Sequence, residues 1–154
     1  MNVTISQMLL LEFDEEMAAT RRILAQIPED KYGWRPHVKS QTVAGLMSQL
    51  TLIPAIPAMF FKGLQVKRVE AGSIAELLQT FDSNANAGRA ALAHATEEQL
   101  SQNRKTSAKE SRPTWSILKR MMMNHSIHHR GQLTVYMRLL DLPVPGLYGP
   151  SADD

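Results

Sequence analysis

Apolar residues recur along four stretches of this chain at steps of three and four, the spacing that stacks side chains on one face of an α-helix. The first helix is expected from about Ser6 to Ile27. Leu9, Phe13, Met17, Thr20, Leu24 and Ile27 form its stripe, and Pro28 closes it. A loop follows, broken by Gly33, Pro36 and Ser40. The second helix begins near Thr42 and carries Val43, Leu46, Leu50 and Ile53. Pro54 and Pro57 then predict a kink or a short break before Met59-Phe60-Phe61, because each proline removes a backbone donor and crowds the preceding turn. The third helix starts after Ser73, an N-cap with Glu76 three residues on as its capping-box partner. Its buried side is Ile74, Leu77, Leu78, Phe81, Ala85, Gly88 and Leu92. The fourth starts near Pro113 and runs to about Asp141, with the stripe Leu118, Met122, His125, His129, Leu133, Tyr136 and Leu140. The polar segment Glu97 to Arg112 reads as a loop or a small hairpin, and Pro143, Pro145, Gly146, Gly149 and Pro150 make an irregular tail. There is no internal repeat, no low-complexity tract and no strong strand alternation. Four amphipathic helices with modest connections predict an all-α four-helix bundle, one domain over residues 1–154.

The last stripe carries the candidate chemistry. His125 and His129 are four apart, so they sit one turn above the other and are expected to face the core. A buried imidazole needs partners for its ring nitrogens. Two in one apolar seam suggest a shared divalent ion, which that spacing allows them to hold together. His128 is rotated about 100° from His129 and is expected to orient a ligand or sit at a subunit interface. Gln132 lies about two turns beyond His125, within reach of the pocket, and Tyr136 one turn further, where it packs or presents its hydroxyl. Gly131 costs roughly 1 kcal/mol in a helix against alanine, and close helix approach is the use expected of it. Of Glu12, Glu15 and Glu16 on the first helix, a carboxylate facing the histidines would fix a tautomer or act as a base; the plainer reading is a solvated face. Glu12 is the expected pocket partner. His37 and His94 lie outside the motif and are expected to be exposed, and Met121-Met122-Met123 reads as flexible core filling. No nucleophile elbow, phosphate loop or di-iron Glu-x-x-His pattern is present, so no catalytic residue is assigned.

Composition narrows the classes. The formal charge is only +2 and the 17 basic residues are scattered, so nucleic acid is not an expected partner. The absence of cysteine removes disulfides, an internal thiol nucleophile and thiolate ligands. The N-terminus has no basic leader and no uninterrupted stretch approaches the ~20 apolar residues of a membrane span, so a cytoplasmic protein without a membrane partner is expected.

The run His125-Ser126-Ile127-His128-His129-Arg130-Gly131-Gln132-Leu133, led by Trp115, resembles the last helix of the DinB-like (DinB/YfiT) superfamily, which is unrelated to the DNA polymerase of that name. The Trp34-Arg35-Pro36-His37 loop before Thr42-Val43-Ala44-Gly45-Leu46 and the tail from Leu142 to Asp153 fit as well, so the resemblance covers the whole chain. It implies an up-down-down-up bundle, a homodimer, and a nickel or zinc ion on three histidines, two of them matching His125 and His129. The third ligand stands where this chain has Gln49, whose carbonyl oxygen is a poorer ligand than imidazole. A weak site with Gln49, a two-histidine site completed by water, and a metal-free polar pocket all remain open. The resemblance implies a metal-dependent enzyme, a low-molecular-weight-thiol S-transferase or a hydrolase-like relative. The alternatives are a non-catalytic small-molecule-binding or stress-response bundle whose metal site has degraded, and a bundle in which the histidines are purely structural.

Overall fold

A computed structural model of the chain describes residues 3–66, 72–107 and 109–154. The helix starts are set by local chemistry. α1 (Ile5–Leu24) opens on Thr4, whose hydroxyl accepts from the Gln7 amide while the Gln7 side chain accepts from the Thr4 amide. α2 (Val43–Leu52) is capped by Thr42. The two prolines then act as expected: a 3-10 turn, Ile53–Ala55, holds Pro54, and α3 (Ile56–Lys62) begins with Pro57 in its first turn. α4 (Ile74–Ala93) has the Ser73–Glu76 capping box, and α5 (Glu97–Ser101) has a second one built by Thr96 and Gln99. The polar segment forms that short helix and a hairpin, β1 (Asn103–Lys105) against β2 (Ser111–Pro113); Ala108 lies outside the described residues. Arg104 and Arg112 stand opposite one another, but each has its own partner. Arg112 bonds Glu110, and Arg104 lies over the Phe60 ring at 5.0 Å. α6 (Thr114–Lys119), a π-helical turn (Arg120–Asn124) and α7 (His125–Leu139) follow as one uninterrupted helix.

The protein is mostly helical. α1 and α2 each pack against both α4 and α7, and the core lies between these four. All six residues of the expected α1 stripe are buried. Two bidentate pairs, Arg21–Asp82 and Arg89–Asp14, clamp α1 to α4 at 2.7–2.9 Å. Both are half exposed, so solvent screening keeps their contribution to stability small. Gly88 lets α4 approach the proline turn: a Cβ there would stand 1.9 Å from the Pro54 carbonyl oxygen. Val43–Lys62 is long and apolar enough to cross a membrane by composition, yet 61% of its apolar window is buried inside the fold, as in a core helix. Phe60 and Phe61 are half-buried against the core rather than exposed, and of that trio Met59 alone stays on the surface.

The largest departure from the expected pattern is in the last helix. A π turn inserts one residue, which shifts the helical phase by about 100°. Upstream of it Leu118 is buried as expected, and within it Met122 is buried as expected. Downstream the buried positions are Ser126, His129, Arg130, Leu133, Tyr136 and Met137. Ser126 and Arg130 thus take the central places, and His125, expected to face the core, is rotated out and exposed.

Candidate metal centre

α7 positions the two histidines. Their Nε2 atoms face each other at 2.8 Å, although His125 is exposed and His129 only 7% exposed. The other ring nitrogen of His129, Nδ1, lies 2.8 Å from Gln132 Oε1. A carboxamide oxygen only accepts, so Nδ1 carries the hydrogen and donates it. In the neutral ring this leaves Nε2 as a bare lone pair, which accepts from His125 Nε2–H. Gln132 therefore fixes the tautomer that leaves the His129 Nε2 lone pair free to accept a proton or a cation. Burial holds the His129 imidazole below its ordinary pKa. The Gln132 bond opposes that shift, and repulsion from His125 and His128 adds to it. His129 is accordingly neutral near pH 7, the state a metal ligand needs.

The remaining candidates fall around this pair unevenly. His128 is exposed, its ring edge-on to His129 with centroids 5.0 Å apart. Tyr136 is buried and packs edge-on against Trp34 at 5.4 Å, in the loop whose carbonyls cap the start of α2. Glu12 is engaged elsewhere, with both carboxylate oxygens on Lys119 Nζ at 2.5 and 2.6 Å. Gln49 lies on α2, which packs against α7; its Oε1 is buried and has no hydrogen-bond partner among the described residues. His37 and His94 are exposed, each with a ring nitrogen turned to nearby backbone. Gly131 does not serve close packing: among the described residues nothing lies within 4 Å of where its Cβ would be.

Two facing imidazole nitrogens are donors of the kind a divalent ion accepts. Ligating nitrogens at about 2.0–2.1 Å on a tetrahedral ion stand roughly 3.3 Å apart, so the imidazoles need to part by a few tenths of an ångström. The unsatisfied Gln49 Oε1 is the kind of buried acceptor that a cation or a donor would satisfy. The set is thin, because among the described residues no group of three His, Cys, Asp or Glu side chains converges.

Two features were not read from the sequence. Arg130 and Glu16, the latter expected on a solvated face, form a buried ion pair: Arg130 Nη2 donates to Glu16 Oε2 at 2.5 Å, with side chains 2% and 7% exposed. Arg130 Nη1 also bonds the Glu16 carbonyl and Thr20 Oγ1, and the Tyr148 hydroxyl completes the cluster. The second is Ser126, fully buried, with no hydrogen-bond partner for its Oγ among the described residues. Both follow from the phase shift at the π turn. The one signal in the sequence was the i, i+4 series Met122, Ser126, Arg130, which competes with the His125 stripe.

A mostly helical protein with facing imidazoles on its last helix is the class these features define. The chain matches the DinB family over residues 1–154 and belongs to that family. A DinB-like protein from Bacillus cereus ATCC 10987 is similar in structure, with TM-score 0.74 and 24% identity over 96% of this chain and 100% of that one. The DinB-like protein YjoA of Bacillus subtilis gives TM-score 0.70 and 22% identity over 92% and 99%. At those identities the likeness concerns the fold. The uncharacterized protein YrdA of Bacillus subtilis (strain 168) is 48% identical over 42 residues. That match is 27% of this chain and spans a quarter of the relative's length.

Proposed function

We propose that this protein is a divalent-metal-dependent enzyme acting with a low-molecular-weight thiol, its ion held by His125 and His129. The observation that carries this is the pair of Nε2 atoms 2.8 Å apart, with His129 locked by Gln132 into the ligating tautomer. For His125 to ligate through Nε2, its proton moves to Nδ1 or to solvent, which its exposure permits. Gln49 Oε1 is the third, weaker ligand. When bound, nickel or zinc supplies a Lewis acid that lowers the pKa of a coordinated thiol or water. The chain has no cysteine, so the thiol arrives as a cosubstrate. His128 flanks the open side of the site, and Tyr136 with Trp34 forms a rigid aromatic support two turns along α7. The same reading takes the four main helices as an up-down-down-up bundle, and the protein as a cytoplasmic homodimer.

The test is a melting curve with and without nickel or zinc, followed by a screen of thiol cosubstrates on the loaded protein. Metal that binds the folded state alone must raise Tm. His125→Ala is expected to abolish that rise and the thiol transfer together; transfer undiminished in the variant overturns the assignment.

One observation favours a second reading, a non-catalytic small-molecule-binding or stress-response bundle: among the described residues no third imidazole or carboxylate joins the pair. On that reading the wild type takes up no metal, and Gln49→His restores uptake.

A further inference from the structure

The chain beyond α7 is folded on itself. α7 ends with Asp141 in the left-handed region at φ 55, the Leu142 amide bonded to the Met137 carbonyl and the Asp141 amide to that of Arg138. This is a Schellman turn, and it reverses the chain. In the tail that follows, Asp153 accepts from the Val144 amide, and Asp154 accepts from the Gly146 and Ser151 amides. A Cβ at Gly146 would stand 2.3 Å from the Gly149 carbonyl oxygen, so the tail closes tightly at that glycine.

The tail meets the helices at few polar points. Arg138 holds Asp153 beside the turn, with contacts at 2.6 and 3.2 Å. Further out, the Tyr148 hydroxyl reaches both Glu16 carboxylate oxygens at 2.8 and 2.9 Å and the Arg130 guanidinium. Leu142, Val144 and Leu147 pack against the core from one side. Tyr148 itself is 72% exposed, so burial of its ring adds little and its hydroxyl carries the attachment to α1. Between α1 and the tail lies an open cleft of about 830 Å³, with Ala18, Ala19 and Arg22 on one side and Leu147 and Tyr148 on the other.

We propose that residues 142–154 form a releasable strap, hinged at the Asp141 turn and caught by the Tyr148 hydroxyl on the Glu16–Arg130 pair. Once the catch opens, the strap's internal ties through Asp153 and Asp154 loosen with it, because Arg138 fixes Asp153 only while the strap lies against α7. Its release removes one wall of the cleft and opens the buried ion pair to solutes. Arg130 follows His129 directly, so the same movement reaches the helix segment that carries the histidines.

Hydrogen exchange on the full chain tests this, comparing wild type with Tyr148→Phe, which keeps the ring and removes the catch. A hydrogen bond to a charged group is strong enough that exchange of the Val144 and Ser151 amides is expected to quicken about ten- to a hundred-fold, while residues 133–137 of α7, where Leu133, Tyr136 and Met137 belong to the core, keep their rates. Arg138→Gln, which frees Asp153, is expected to quicken the same amides and spare the same core. Unchanged tail exchange in Tyr148→Phe overturns the proposal. So does equal acceleration of the tail and of residues 133–137, since Tyr148 would then belong to the global fold.

Discussion

Removing the Glu16 carboxylate isolates the physics of the α1–α7 seam. In Glu16→Ala the Arg130 guanidinium, 2% exposed, loses its charged partner but keeps the residue-16 carbonyl at 3.0 Å, Thr20 Oγ1 at 3.1 Å and the Tyr148 hydroxyl. Breaking a buried pair from one side costs about 3–5 kcal/mol, because the surviving charge is left without compensation. The remaining neutral acceptors place this variant at the lower end, about 3 kcal/mol. For a chain of this size each kcal/mol shifts Tm by roughly 2–4 °C, so a fall of about 6–12 °C is expected. The double variant Glu16→Leu, Arg130→Met removes both charges together and is expected to lose far less, since apolar replacement of a buried pair is often neutral or better. Thermal melts and urea titrations at pH 7 measure both. A Glu16→Ala protein within about 1 kcal/mol of wild type, or a double variant as damaged as the single one, refutes the reasoning.

Three further outcomes follow from geometry. Gly131→Ala meets no atom within 4 Å and is expected to stabilise by about 0.5–1 kcal/mol, whereas Gly88→Ala drives a methyl group to 1.9 Å from the Pro54 carbonyl and is expected to cost about 1–3 kcal/mol; urea midpoints rank the two. Ser126→Ala deletes a buried hydroxyl without a partner, so stability should hold or rise by up to about 1 kcal/mol, and a clear loss in the same titration counts against that environment. Arg138 and the Val144 amide hold the Asp153 carboxyl below its usual range, so its contribution is present above the unfolded pKa and lost as pH falls through the folded one; tail exchange referenced to intrinsic rates should rise in acid, and an Asp153 titration at the ordinary carboxylate pKa would contradict this.

Helix positions were legible because their signals are local. Capping boxes at Ser73 and the breaks at Pro54 and Pro57 are written in three or four residues, and the α1 stripe keeps one phase from Leu9 to Ile27. The π turn at Arg120–Asn124 has no such signature. It is a tertiary compromise that lets Leu118, Met122 and Met123 all reach the core, and a pattern drawn with constant phase runs through it and turns His125 inward. The histidine pair survived that error because His125 and His129 both lie beyond the shift, where their mutual spacing is unchanged. Glu16 and Tyr148 are 132 residues apart, and no periodicity announces a contact that only the reversed tail creates.

The central claim, that His125 and His129 hold a divalent ion, is tested most directly by the metal content of tag-free protein, by inductively coupled plasma mass spectrometry, alongside His125→Ala. Near-stoichiometric nickel or zinc is expected in the wild type, or stoichiometric loading on addition, and its loss in the variant. Wild type that stays metal-free after loading with nickel, zinc and manganese would contradict it.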